Sequence, residues 1–138
     1  MIALARPLNQ ESRVPATFVK AAPYQRDAMA LPVADVDAAI PFYTGRLGFK
    51  VSRRTDTPVR SVVLARDSIE IGLVENGGDP SQDGCYFEVD DVATAFGDFH
   101  GRPPAPTDLG IQTHAGRTFQ VFLVVAPDGL CYMIGRPS

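Results

Sequence analysis

"LPVADVDAAIPFYTGRLGF", residues 31–49, opens as a strand and closes as a helix that runs into a glycine. "MALPV" (29–33) alternates with period two and ends at Asp35, a side chain suited to cap a helix N-terminus. From there Val36, Ala39, Ile40, Tyr43 and Leu47 fall three and four apart, one apolar face of a helix that Gly48 stops. Pro41 interrupts the run, because proline removes one backbone donor and bends a helix. The same passage returns at 87–102 as "FEVDDVATAFGDFHGR". Val33, Asp35, Val36, Ala39, Gly45 and Arg46 recur 56 positions on as Val89, Asp91, Val92, Ala95, Gly101 and Arg102. Leu31, Ile40 and Tyr43 meet Phe87, Phe96 and Phe99.

The rest of each unit follows the same order. "FKVSRR" (49–54), "RSVVLAR" (60–66) and "SIEIGLVE" (68–75) read as three strands, the last two joined by a tight turn at Asp67-Ser68. "ENGGDPSQDG" (75–84) is a linker. "CYFEV" (85–89) restarts the pattern. "GRPPAPTDLG" (101–110) breaks regular structure, and "GIQTHAGR" (110–117) reads as a loop. "RTFQVFLVVA" (117–126) and "LCYMIGR" (130–136) pair across "PDG". At slightly larger offsets Ala65-Arg66-Asp67 faces Ala126-Pro127-Asp128, and Gly72 faces Gly135. The expectation is an α+β fold: two tandem βαβββ units, residues 27–76 and 84–136, inside one domain at 27–138. Residues 1–26, dotted with Pro7, Pro15 and Pro23, form an extended arm in which "ATFVK" (16–20) can add an edge strand.

Composition bounds the function. The 138 residues suffice for one cored domain, with 45% hydrophobic and 21% charged residues. A net charge of −3 argues against a nucleic-acid partner. Cys85 and Cys131 form no CxxC pair and read as small buried hydrophobes. The apolar run "VFLVVA" (121–126) is far too short to span a membrane, and the chain reads as a cytoplasmic protein without a membrane partner. Asp35, Asp37, Asp90 and Asp91 suit helix capping better than catalysis. Arg53, Arg54 and Arg60 read as a solvated strand end. "GGDP" is no phosphate loop, and Cys131 has no neighbouring base that would make it a nucleophile.

The passages "LPVADVDAAIPFYTGRLGF", "SIEIGLVE", "YFEVDDVATAF" and "APDGLCYMIG" together resemble the vicinal oxygen chelate superfamily, which includes glyoxalase I, extradiol dioxygenases, fosfomycin-resistance enzymes and bleomycin-resistance proteins. The resemblance covers about residues 27–136. It implies that each unit curls into a half-barrel, that the mixed-sheet pair encloses a cleft, and that the chain forms a homodimer. It also implies four metal-ligand positions, which fall here on Ala28, Gly84, Glu70 and Met133. Three of the four have no ligand suited to a zinc-, iron- or manganese-like ion. The expectation is therefore no metal and no other cofactor, as in the bleomycin-resistance-like members.

With Leu31, Val33, Ile69, Ile71, Leu73, Cys85, Phe87, Val89, Tyr132 and Ile134 facing the helices, their neighbours face the cleft. Ala28, Gly72 and Gly84 leave room there, and Glu70 and Glu88 make it acidic. Tyr86 supplies a stacking face and a hydroxyl, and Met133 a thioether. His114 and Arg117 come from the bordering loop. The expected ligand-binding set is Glu70, Tyr86, Glu88, Met133, His114 and Arg117, and the expected partner a small amphipathic aromatic or cationic compound that is sequestered or carried. The chain lacks tryptophan, which weighs against bleomycin as that compound. The alternative is an enzyme of lyase, isomerase or dioxygenase type. It would use Glu70 or Glu88 as base with Tyr86 as acid, or an unconventional metal site of Glu70, Glu88 and His114. A third reading is a structural dimer with a vestigial cleft. His100, at the end of the second helix, is expected to be a surface residue.

Overall fold

The computed structural model describes residues 16–25, 27–99 and 106–138. Among these, the first unit comprises β2 (Leu31–Pro32), α1 (Val36–Gly45), β3 (Lys50–Thr55), β4 (Ser61–Arg66) and β5 (Ile69–Val74). The second comprises β6 (Gly84–Val89), α2 (Val92–Phe99), β7 (Gly110–His114), β8 (Arg117–Val125) and β9 (Cys131–Pro137). The arm supplies β1 (Phe18–Pro23).

The duplication is visible in the pairing. The first sheet has the order β2-β5-β4-β3, and the second has β1-β6-β9-β8-β7. In each unit the first strand lies parallel to the last, Leu31 opposite Leu73 and Cys131 opposite Gly84, and every other pairing is antiparallel. A parallel pair needs a crossover, and α1 and α2 supply part of it. The result is two mixed sheets and two helices in an open arrangement, the α+β fold expected from the repeat.

The caps are repeated as well. Asp35 Oδ1 accepts the Ala38 N–H, and Asp91 Oδ1 accepts the Thr94 N–H at 3.1 Å. The N–H donation lowers the Asp91 pKa. α1 ends at Gly45, three residues before Gly48, whose positive φ of 74° turns the chain so that Phe49 N–H reaches the Tyr43 carbonyl.

A single core joins the units. Phe18 of β1, Phe49 and Phe87 of β6 meet with ring centroids 5.4–6.0 Å apart. Phe87 in turn stacks on Tyr132 of β9 at 5.1 Å. Each such ring is fully buried, and burial of one contributes about 1.5–3 kcal/mol. α1 crosses to the second unit through Tyr43. Its hydroxyl donates to Asp128 Oδ2 at 2.8 Å and lies 2.6 Å from the Tyr132 hydroxyl.

Several expectations are corrected. "GIQTH" is a strand, β7, joined to β8 by the two-residue turn Ala115-Gly116 with φ of 53° and 79°, the geometry of a tight hairpin. The first strand is cut to Leu31–Pro32, and Ala28 and Met29 lie in a turn. Arg54 and Arg60 are not merely solvated. They form ion pairs with Asp35, Asp37, Asp56 and Glu75, and Glu75 also accepts the Val36 N–H at the start of α1. His100, Gly101, Arg102, Pro7 and Pro15 lie outside the described residues.

Candidate functional site

Period two decides which side chains leave the core. On β6, Cys85, Phe87 and Val89 are buried among the aromatic rings, so Tyr86 and Glu88 project from the opposite face. On β9 the same alternation buries Tyr132 and Ile134 and turns Cys131 and Met133 outward. Met133 sits directly beside Tyr86 in the parallel register. On β8 the outward positions nearest the hairpin are Arg117 and Phe119, across from His114 and Gln112 of β7. The arm completes the row: β1 runs antiparallel to β6 with Lys20 opposite Glu88 and Ala22 opposite Tyr86.

These side chains line a groove of about 540 Å³ across the outward face of the five-stranded sheet. Tyr86 and Phe119 form its walls, edge to face with centroids 5.9 Å apart. The Arg117 guanidinium lies 5.7 Å from the Phe119 ring. The Tyr86 hydroxyl donates to Glu88 Oε1 at 3.3 Å. Burial raises the Tyr86 pKa and the Glu88 carboxylate raises it further, so the phenol remains a donor at neutral pH. Tyr24 closes one end. Burial raises both the Tyr24 pKa and that of Cys131.

Of the expected ligand-binding residues, Tyr86, Glu88, Met133, His114 and Arg117 all line this groove, whereas Glu70 lies on β5 of the other sheet and does not. Lys20, Tyr24 and Phe119 line it and were not expected. The first two lie in "FVKAAPY" (18–24), whose Lys20, Ala22, Pro23 and Tyr24 all line the groove although the stretch by itself does not place them beside β6. The groove is therefore not acidic. It carries Lys20 and Arg117 against one carboxylate, Glu88.

The glycines also act differently from expectation. A Cβ on Gly84 would run into the Cys131 carbonyl oxygen and come 2.6 Å from Tyr24 Cε2. One on Gly72 would run into the Met29 carbonyl. Neither opens space for a ligand, since each lets another part of the chain approach closely.

The positions that would hold the family's metal do not fit one. Ala28 is in a turn, Gly84 is covered, Met133 offers only a thioether, and Glu70 is on the other sheet. The unconventional set of Glu70, Glu88 and His114 is not brought together either. Among the described residues no three His, Cys, Asp or Glu side chains gather in a way that could hold an ion. A second depression, at Asp27, Asn76, Asp79 and Asp83, is lined by side chains that already accept backbone N–H groups of their own loops.

Residues 25–130 match the glyoxalase/bleomycin resistance protein/dioxygenase superfamily. The chain belongs to that superfamily. Solved structures of similar fold include a bleomycin resistance determinant encoded on the transposon Tn5, 22% identical, with a TM-score of 0.62 over 81% of this chain and 97% of that one. Another is the bleomycin-binding protein from bleomycin-producing Streptomyces verticillus in complex with copper(II)-bleomycin, 21% identical, with a TM-score of 0.62 over 80% and 93%. A virulence protein from Salmonella typhimurium is 17% identical, with a TM-score of 0.61 over 81% and 95%. At these identities the likeness establishes the superfamily's fold and no particular ligand. No curated protein matches the chain significantly. Among the described residues no helix is long and apolar enough to cross a membrane.

Proposed function

We propose that this superfamily member binds a small amphipathic aromatic molecule in the groove lined by Tyr86 and Phe119, sequestering or carrying it without a metal ion. The observation that carries the reading is the aromatic-walled groove itself, whose volume of about 540 Å³ matches that of small-molecule sites. Three further features support it: the neutral Tyr86 hydroxyl, the adaptable Met133 thioether beside it, and the poor donor set at the family's metal positions. The bleomycin-binding neighbour holds a drug on the same fold, which makes sequestration a role the fold supports. A thermal-shift screen of aromatic compounds, followed by calorimetry on the hits, tests the proposal. Y86A and F119A are expected to abolish binding of a hit while leaving the fold intact. Undiminished binding by both variants would refute it.

The contact of the Tyr86 hydroxyl with Glu88 favours a second reading, an enzyme with Glu88 as general base and Tyr86 as hydrogen-bond donor. Glu70 has no place in that pair. Turnover of a hit that survives E88Q would refute this reading.

We also propose a homodimer. Ile111 is 64% exposed on the edge strand β7, and Val51 is 47% exposed on the edge strand β3. Light scattering is expected to give twice the 14.9 kDa chain mass. A single-chain mass at micromolar concentration would refute it.

A further inference from the structure

The groove's charge is opposite to that of the chain. The protein carries a net charge of −3, yet the charged side chains that line the groove are Lys20, Arg117 and Glu88, two cations against one anion. Among the described residues neither Lys20 nor Arg117 forms an ion pair with a carboxylate, while Arg54, Arg60 and Arg66 all do. The one groove carboxylate accepts the Tyr86 hydroxyl. The Arg117 guanidinium lies over the Phe119 ring rather than turned away from it. A guanidinium with no carboxylate partner, set beside aromatic walls and at the border of a groove, is a ready fork for a planar oxyanion.

Resting on the binding function proposed above, we propose that the groove's ligand class is the aromatic carboxylates. The ring packs against the joined Tyr86 and Phe119 rings, the carboxylate accepts from the Arg117 guanidinium, and Lys20 adds positive charge from β1. A cationic aromatic is disfavoured there, because it meets two like charges against the single carboxylate Glu88. Glu88 has a place in the same scheme. It orients the phenol of Tyr86, and it discriminates against ligands with a second acid group on that side of the ring.

Three matched probes separate charge from ring: 2-naphthoate, neutral 2-naphthamide and cationic 2-naphthylmethylamine. Each is titrated into the full chain, with calorimetry for affinity and aromatic NMR resonances of Tyr86 and Phe119 for location. Naphthoate is expected to bind tightest and the amine weakest, all perturbing the same resonances. R117Q is expected to weaken naphthoate by about ten- to a hundredfold, the size of one lost charge-assisted hydrogen bond, while changing naphthamide by less than about twofold. K20Q is expected to act in the same direction with a smaller effect, and added salt is expected to weaken only the two charged probes' preferences. Circular dichroism and urea midpoints check that both variants fold as the wild type does. Tighter binding of the amine than of naphthoate at those resonances would overturn the assignment of ligand charge and leave the groove itself standing. Equal losses of naphthoate and naphthamide on R117Q would overturn it too. If no probe moves Tyr86 or Phe119, the inference and the binding function both fail.

Discussion

Replacing Tyr43 by phenylalanine is expected to cost about 2–4 kcal/mol, far more than loss of one surface hydroxyl. Tyr43 is fully buried on α1, and its hydroxyl links α1 to Asp128 and Tyr132 of the second unit. Because Tyr43 donates to Asp128 Oδ2 at 2.8 Å, the 2.6 Å contact with Tyr132 requires the Tyr132 O–H to donate to Tyr43. The substitution keeps the ring and its edge-to-face packing on Tyr132, with centroids 5.8 Å apart, so no cavity of consequence forms. Two losses remain. The Asp128 carboxylate gives up one donor and keeps the Leu130 N–H, a loss of about 1.5–3 kcal/mol for a charged acceptor. The Tyr132 O–H, buried and with no other hydrogen-bond partner among the described residues, is left unsatisfied at about 1–3 kcal/mol, partly relieved by relaxation. Urea denaturation of wild type, Y43F, Y132F and Y43F/Y132F measures both terms. Removing the orphaned hydroxyl should return part of the loss, so the double variant is expected within about 1 kcal/mol of Y43F. A Y43F loss below about 0.5 kcal/mol, or strictly additive single losses, would refute the reasoning.

Burial raises the Asp128 pKa above its ordinary value, so the fold favours the protonated form. That contribution is fully present below the unfolded value and is lost as pH rises through the raised one. The stability of wild type relative to D128N is therefore expected to fall from acid pH towards neutrality, and a flat difference in pH-dependent urea titrations would contradict it. Burial pushes the Cys85 thiol up to about 12, so a disulfide reagent at pH 8 is expected to leave Cys85 untouched until the protein unfolds, with mass-mapped labelling of Cys85 in native protein as the contrary result. G84A forces a methyl group into the Cys131 carbonyl and the Tyr24 ring. It is expected to cost about 1–3 kcal/mol in urea titrations and to weaken ligand binding by displacing Tyr24, whereas unchanged values for both would show that the close approach is not needed.

The fold was legible because each level of the sequence agrees with the others in both units. Asp35 and Asp91 cap, the helical spacing follows, and hairpin-forming strands come after in the same order. What escaped is physically different in kind. β7 carries no alternation because all five of its residues are exposed, and only the Ala-Gly turn after it marks a hairpin. β1 pairs with β6 across more than sixty residues, so nothing local to Lys20 or Tyr24 places them beside Glu88 and Gly84. Glu70 obeys the expected alternation on its own strand, but alternation sets a face and not which sheet shares a groove. Gly72 and Gly84 sit where the repeat puts them, yet a missing side chain serves a close backbone approach as readily as an open cleft.

The most direct test of the account is a titration followed on methionine methyl groups. Met133 lines the groove beside Tyr86, whereas Met29 lies in the turn against Gly72 of the other sheet. With a bound aromatic ligand, ring currents are expected to move the Met133 methyl resonance in step with saturation while the Met29 resonance stays in place. A saturable ligand that moves Met29 and leaves Met133 unchanged would place the binding site elsewhere and contradict the account.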